Sequence, residues 1–327
     1  MQLASCVRVQ ILRHERHLSA HLRRSQAAAA YVSSHTAQPA GEPQAKTSVI
    51  KPQRQSRLQQ QEATAWPGVD FSSLHSQSPS VRVRQHVNPF TPTLQIPVPP
   101  LDWNSIYADA YRPLAIDIGC GPGRFPLALA AHIPAYNVLG IDIRAKLLER
   151  ASTWTELVGC QDRVHFHTAN ATVSLHSMLS SYPGPIKLVT VQFPDPHWKL
   201  RNRKRRIVQP QLVAAVAHLI APGGQVFLQS DVQEVVASMR DDFEFHGQGA
   251  FAPAQAHSQQ DAVFLTDQMT VEPLPKDSLE RQVWRSTWQD AGWLQHNPLG
   301  VPTEREVHTL ENKASVYRVL LSSLKMS

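Results

Sequence analysis

Nowhere does this 327-residue chain approach about eighteen consecutive apolar residues, so the sequence offers no helix able to cross a bilayer. It has only three cysteines, Cys6, Cys120 and Cys160, an odd number without C-x-x-C spacing. Neither a disulfide framework nor a thiolate zinc site is indicated. The sixteen histidines are scattered, and His165 and His167 in "HFH" read as residues packing along a strand, so no metal is expected. No segment repeats, which excludes a solenoid. Taken together, the expectation is a reduced, soluble, intracellular protein.

Acidic residues are scarce at the start. The first sixty residues hold nine Lys or Arg against Glu15 and Glu42 alone, in a context of Ala, Ser and Gln with no sustained periodicity. That composition reads as an organelle transit peptide and leader over residues 1–80, for a plastid rather than a mitochondrion. A disordered basic tail that helps hold nucleic acid is the alternative, and would leave the protein in the cytoplasm or nucleus.

The rest is rich enough in apolar residues, 42% of the whole, to bury a core. From about residue 112, short apolar runs alternate with helix-length segments: "PLAIDIG" (113–119), "NVLGIDI" (137–143), "VHFHTAN" (164–170), "IKLVTVQF" (186–193) and "GQVFLQS" (224–230). Near-continuous apolar strands between helices predict a parallel sheet covered on both faces. "APGGQ" (221–225) reads as a turn, residues 247–290 as a loop insertion of low order, and "VYRVLL" (316–321) as a closing strand. One α/β domain is expected over residues 81–327.

Three clusters carry chemistry. In "IDIGCGPGRF", Gly119, Gly121 and Gly123 follow a strand and open a helix, so backbone can pass close to a ligand. Asp117 lies inside that strand and Asp142 ends the next one in "GIDI". An acid at the second position suits the two ribose hydroxyls of an adenosine. An acid at the first suits an ammonium, which S-adenosylmethionine has and a dinucleotide lacks; a pyrophosphate would be repelled there. Asn170, in "HTANAT", sits where an adenine would lie and can donate to and accept from its edge, although Asn is equally a helix N-cap.

The third cluster is "VQFPDPHWKLRNRKRRIVQP" (191–210). The fourth strand delivers Asp195 to the carboxyl edge of the sheet, where ligands bind in open α/β folds. Pro194 and Pro196 stiffen the turn around it. A fixed carboxylate accepts well from adjacent N–H groups such as those on guanine. Lys199, Arg201, Arg203, Lys204, Arg205 and Arg206 then place six cations within eight residues, which suits phosphates. The net charge of +6 leans the same way.

These residues, with "VRVRQHVNPF" (81–90), "NATVSLHSMLSSYPGP" and "PTEREVH" (302–308), resemble the tRNA (guanine-N7)-methyltransferase family, in its plant and algal plastid-type branch. The resemblance implies a Rossmann-like class I methyltransferase fold, a mostly parallel seven-stranded sheet with helices on both faces. It implies S-adenosylmethionine as methyl donor, S-adenosylhomocysteine as product, and a variable-loop guanosine of tRNA as target. By the same token it implies cofactor contacts at Asp117, Asp142, Asn170 and Asp195, with the neighbouring Gly119, Gly121, Gly123, Ile143 and Ala171. Substrate contacts are implied at Lys199, Asp231, Thr303, Glu304, Arg305 and Glu306. Asp195 would orient the guanine. Asn170 departs from the pattern, since many relatives carry Asp there. Methylation of another RNA base, a non-catalytic RNA-binding role, and a requirement for a non-catalytic partner subunit are the readings left open.

Overall fold

The computed structural model describes residues 66, 68–78, 87–197, 199–257, 262–263 and 286–326. The leader up to residue 65, the segment 81–86 and most of 258–285 lie outside the described residues. The strands are β1 (Leu114–Ile118), β2 (Asn137–Asp142), β3 (Val164–Thr168), β4 (Ile186–Gln192), β5 (Ile220–Ser230), β6 (Phe251–Pro253), β7 (Ala262–Val263), β8 (Trp293–Leu294) and β9 (Tyr317–Ser323). The helices are α1 (Phe71–Gln77), α2 (Trp103–Ile106), α3 (Arg124–His132), α4 (Ala145–Val158), α5 (Ala171–Leu179), α6 (Pro210–Leu219), α7 (Gln233–His246) and α8 (Glu304–Glu311).

Seven strands form one sheet in the order β3-β2-β1-β4-β5-β9-β6, with β7 and β8 as a separate ribbon. The first five run parallel, and β9 is antiparallel to both neighbours. This is the Rossmann-like α/β fold expected. Both faces of the sheet are covered. Leu114, Ile116, Ile118, Leu139 and Ile141 pack into one apolar cluster, and Ala115, Val138, Val164, Leu188 and Phe227 into another. Strands buried on two sides need apolar residues at successive positions, which is why these runs do not alternate with polar ones. Because β1 and β4 are neighbours, strand order reverses between them, and the crevice beyond their carboxyl ends is where such sheets bind ligands.

Three sequence expectations need correction. Residues 66 and 68–78 belong to the domain and not to a leader ending at 80. Trp66 and Phe71 are buried, the Trp66 indole donates to Pro302 O at 2.7 Å, and the Trp154 indole donates to Ser78 Oγ at 2.7 Å. Within 247–290, Phe251–Pro253 is β6, the outer strand of the main sheet, fixed to β9 by register. The turn expected at 221–225 lies inside β5, whose pairing with β4 shifts register between Ile186 and Leu188.

Phe166, on β3, lies over two glycines. A Cβ at Gly140, its register partner on β2, would stand 2.6 Å from the ring; one at Gly123 would stand 2.7 Å away. Gly140→Ala is therefore expected to destabilise the protein by about 1–3 kcal/mol through overpacking. Adding Phe166→Leu should recover part of that loss, as read by urea unfolding of the single and double variants.

Candidate active site

Every element that ends at the carboxyl edge contributes to the site. After β1 the chain turns through Gly119 (φ 82°), Gly121 (φ 56°) and Gly123 (φ 80°), a left-handed path that side chains resist. Gly119 is exposed at the crevice, and Gly123 caps α3. Asp117 is buried at the end of β1. Its Oδ1 accepts from Thr190 Oγ1 at 2.5 Å and Gln192 Nε2 at 3.3 Å, both on β4. Burial pushes this carboxyl up to about 6; the two hydrogen bonds pull it down less strongly, and the charge of Asp142 adds to the rise. Both bonds fall on Oδ1, and Asp117 lines the cleft. A buried carboxylate with only neutral partners is an electrostatic cost that an incoming cation relieves.

That cleft measures about 480 Å³. Its walls bring Asp117, Gly119 and Gly121 together with Thr303, Glu304 and Arg305. Thus residues nearly two hundred positions apart in sequence share one cavity. The Thr303 hydroxyl accepts from Glu306 N at 3.1 Å and caps α8. Glu304 meets Arg124 Nη1 at 3.2 Å, and Arg305 pairs with Asp231 at 2.5 Å. Asp231 and Arg305, both implied as substrate contacts, are thus brought together as an ion pair, just ahead of Val232, the cap of α7.

Glu306, implied as a substrate contact, is instead buried. It is 1% exposed, accepts from Arg318 Nη2 at 2.7 Å and Gln229 Nε2 at 3.1 Å, and also accepts from Asn297 Nδ2 at 2.8 Å. Its carboxylate anchors α8 to β5 and β9 and is not presented to a ligand.

Asp142, at the end of β2, accepts four hydrogen bonds. Gly121 N and Arg144 Nη2 reach Oδ2 at 2.9 and 2.8 Å; Arg144 N and Nε reach Oδ1 at 2.9 Å each. Ribose hydroxyls would therefore have to displace part of the Arg144 contact. The hydrogen bonds that Arg144 donates to Asp142 raise the pKa of Arg144, and the charge of Asp195 raises it further, so both carboxylates act on one guanidinium. Ile143 follows half-buried. Asn170 accepts from Thr172 N at 3.2 Å as the cap of α5, while its Nδ2 points to Pro89 O at 3.4 Å. Ala171 is buried as the first residue of that helix. Asp142, Asn170 and Asp195 stand outside the wall of the cleft itself.

Asp195 is exposed in the turn after β4. Phe193 and His197, on either side, hold φ of 47° and 46°. The cationic run forms a 3₁₀ helix over Leu200–Arg205. Lys199, Arg201, Lys204 and Arg205 are exposed, Lys204 with its ammonium 5.3 Å from the Phe90 ring centre, whereas Arg203 and Arg206 are half-buried.

Four residues at this edge were not singled out by sequence. Trp66 and Arg124 line the cleft, the guanidinium 5.9 Å from the indole ring centre. Gln192 and Gln229 bridge the strands at 2.6 Å. Arg124 carried a readable signal, since a cation in the first turn of a helix opposes its dipole. The glutamines carried one too, as polar residues ending apolar strands. Trp66 had none, lying in a segment read as leader.

The residues fit S-adenosylmethionine: a buried anion for its ammonium, an open glycine turn beside it, and a cavity of ligand size. Comparison with known proteins agrees. The family described as "Putative methyltransferase" matches residues 111–286. A protein of Synechococcus sp. (strain JA-3-3Ab), named tRNA (guanine-N(7)-)-methyltransferase, is 40% identical over 256 residues, 78% of this chain and 90% of that protein. Its namesake in Synechococcus sp. (strain JA-2-3B'a(2-13)) is 42% identical over 240 residues, covering 73% of this chain and 84% of that one. The one in Synechocystis sp. (strain ATCC 27184 / PCC 6803 / Kazusa) is 37% identical over 241 residues, 74% of this chain and 97% of its own. With a glycine turn, two edge acids and a cation-flanked Pro-Asp-Pro turn on this sheet, and with relatives matched over nearly their whole length, the chain belongs to the tRNA (guanine-N7)-methyltransferase family.

Proposed function

We propose that this protein transfers a methyl group from S-adenosylmethionine to N7 of a guanosine in the variable loop of tRNA. The observation that carries the cofactor half of this reading is the buried Asp117, without a cationic partner among the described residues, lining the same cleft as residues 303–305. The exposed cations at 199, 201, 204 and 205 beside Asp195 support the nucleic-acid half.

S-adenosylmethionine, when bound, supplies an already activated sulfonium methyl. Asp117 would take the ammonium of its amino-acid tail, the turn at 119–121 would lie along that tail, and Asp142 would receive the ribose hydroxyls. Guanine N7 has an in-plane lone pair and no proton, so no residue has to act as general base. The work left to the protein is alignment and exclusion of water. Asp195 orients the guanine edge and offsets positive charge growing on the purine. The exposed cations hold the phosphate backbone without reading sequence. Residues 1–65 act as the address for a plastid.

Asp117 gives the first test. Its carboxyl titrates at about 6 in the folded protein against an ordinary 3.8, so the folded state holds that proton more tightly. Stability of the cofactor-free protein therefore falls as pH rises from about 4 to about 6, and the full penalty, on the order of 3 kcal/mol, stands above that window. Asp117→Asn should raise the thermal midpoint at neutral pH while weakening cofactor binding at least about 30-fold, as read by calorimetry. Wild-type affinity should drop roughly tenfold per pH unit below about 6.

Methyl transfer from labelled S-adenosylmethionine to unmodified tRNA tests the reaction. Transfer should vanish when the variable-loop guanosine is replaced by adenosine, and fall at least about 100-fold with Asp195→Ala. Loss of neither would point to another RNA base; no transfer despite cofactor binding would point to a required partner subunit or a non-catalytic role. For localisation, residues 1–65 fused to a fluorescent protein should direct it to plastids, and a diffuse cytoplasmic signal would count against the address.

A further inference from the structure

We propose that Arg206 is a positioning residue that holds the Pro-Asp-Pro turn, and through it Asp195, and that it takes no part in binding phosphate. This rests on the reaction proposed above. Arg206 closes the run of six cations, and by sequence nothing separates it from Arg205. The structure turns the two apart. Arg205 is exposed; Arg206 is half-buried, with Nε donating to Pro196 O at 3.1 Å and Nη1 donating to Ser238 Oγ on α7 at 3.0 Å. Its main-chain carbonyl is tied as well, accepting from Gln209 Nε2 at 3.1 Å. The guanidinium thus bridges the residue next to Asp195 and a helix rooted in the core.

The turn needs such a restraint. Phe193 and His197 both hold left-handed backbone conformations that non-glycine residues avoid. Such conformations persist only where the surroundings enforce them. On the β4 side, Phe193 N donates to Gln229 O at 2.8 Å. Past Asp195, the Arg206 bond to Pro196 O is a matching tie. Arg206 also lines, with Pro194, Asp195, Pro196, Ser238 and Met239, the narrow crevice beneath the turn. A guanidinium spent on a carbonyl and a hydroxyl in a crevice is poorly placed for phosphate, whereas its fork geometry suits a two-point clamp that a lysine cannot reproduce.

The test compares Arg206→Ala, Arg206→Lys, Ser238→Ala and Arg205→Ala in steady-state methyl transfer to tRNA, over a series of salt concentrations. Arg206→Ala should lower kcat about 10- to 100-fold with the tRNA KM and the salt slope unchanged. Arg206→Lys should recover only part of kcat, and Ser238→Ala should lower it severalfold with KM intact. Arg205→Ala should instead raise KM and flatten the salt dependence by about one unit, as loss of one phosphate contact does. An Arg206→Ala protein that behaves like Arg205→Ala, or like wild type, overturns the assignment. Should Arg206→Ala not fold, the Lys and Ser238 variants decide it, and a wild-type kcat in both overturns it. Failure of the function itself looks different: wild type then transfers nothing and Arg205→Ala changes nothing.

Discussion

A single row of buried polar contacts across the carboxyl edge of the sheet is what the site depends on. It runs from Asp117 on β1 to Gln192 on β4, to Gln229 on β5, to Glu306 on α8 and Arg318 on β9. Register makes it possible, because Asp117 pairs with Thr190, Gln192 with Gln229, and Gln229 with Arg318. A slip of one residue in any of these pairings would turn a polar side chain to the opposite face and leave its partner unsatisfied in the core. The row therefore fixes strand register and, at its far end, pins the helix that forms one wall of the cleft. Breaking the terminal pair from the Arg318 side would strand a buried carboxylate, which typically costs several kcal/mol.

One end of this row is compensated and the other is not. Glu306 has a guanidinium at 2.7 Å and its pair is complete. Asp117 has a hydroxyl and an amide, and burial wins over both. An interior selected for stability alone would not leave a carboxylate in that condition. One built to attract a cation would, since the binding energy gained on neutralising a desolvated charge exceeds that available at a solvated one. The two ends of the row thus differ in one respect: Glu306 is neutralised by Arg318, whereas the described partners of Asp117 are a hydroxyl and an amide.

Strand positions and edge acids were legible because each rests on a local rule: apolar runs between helices, glycine where the backbone turns left-handed, and acids at strand ends. What escaped was tertiary. Trp66 looked like the tail of a basic leader, yet its indole reaches Pro302 across 236 residues. Glu306 was grouped with Glu304 and Arg305 as a substrate contact, but a helix turns about 100° per residue and sends the third side chain inward. Phe251–Pro253 is too short to register as a strand by pattern, and it exists because β9 offers a free edge.

The cationic run shows where composition misleads most. Six like charges in eight residues repel one another at close range, and a fold that exposed all of them would concentrate that repulsion on one 3₁₀ turn. Here the charges are dispersed: Lys204 lies against an aromatic ring, Arg206 is drawn into a crevice, and Lys199, Arg201 and Arg205 face solvent. Spreading them by depth lowers the self-repulsion of the free protein while keeping several charges for an anionic chain. It also couples the cationic stretch to the turn that carries Asp195, through the bond from Arg206 to Pro196 O. The spacing between the exposed cations and Asp195 is then set by covalent geometry over a dozen residues and by that one tertiary bond.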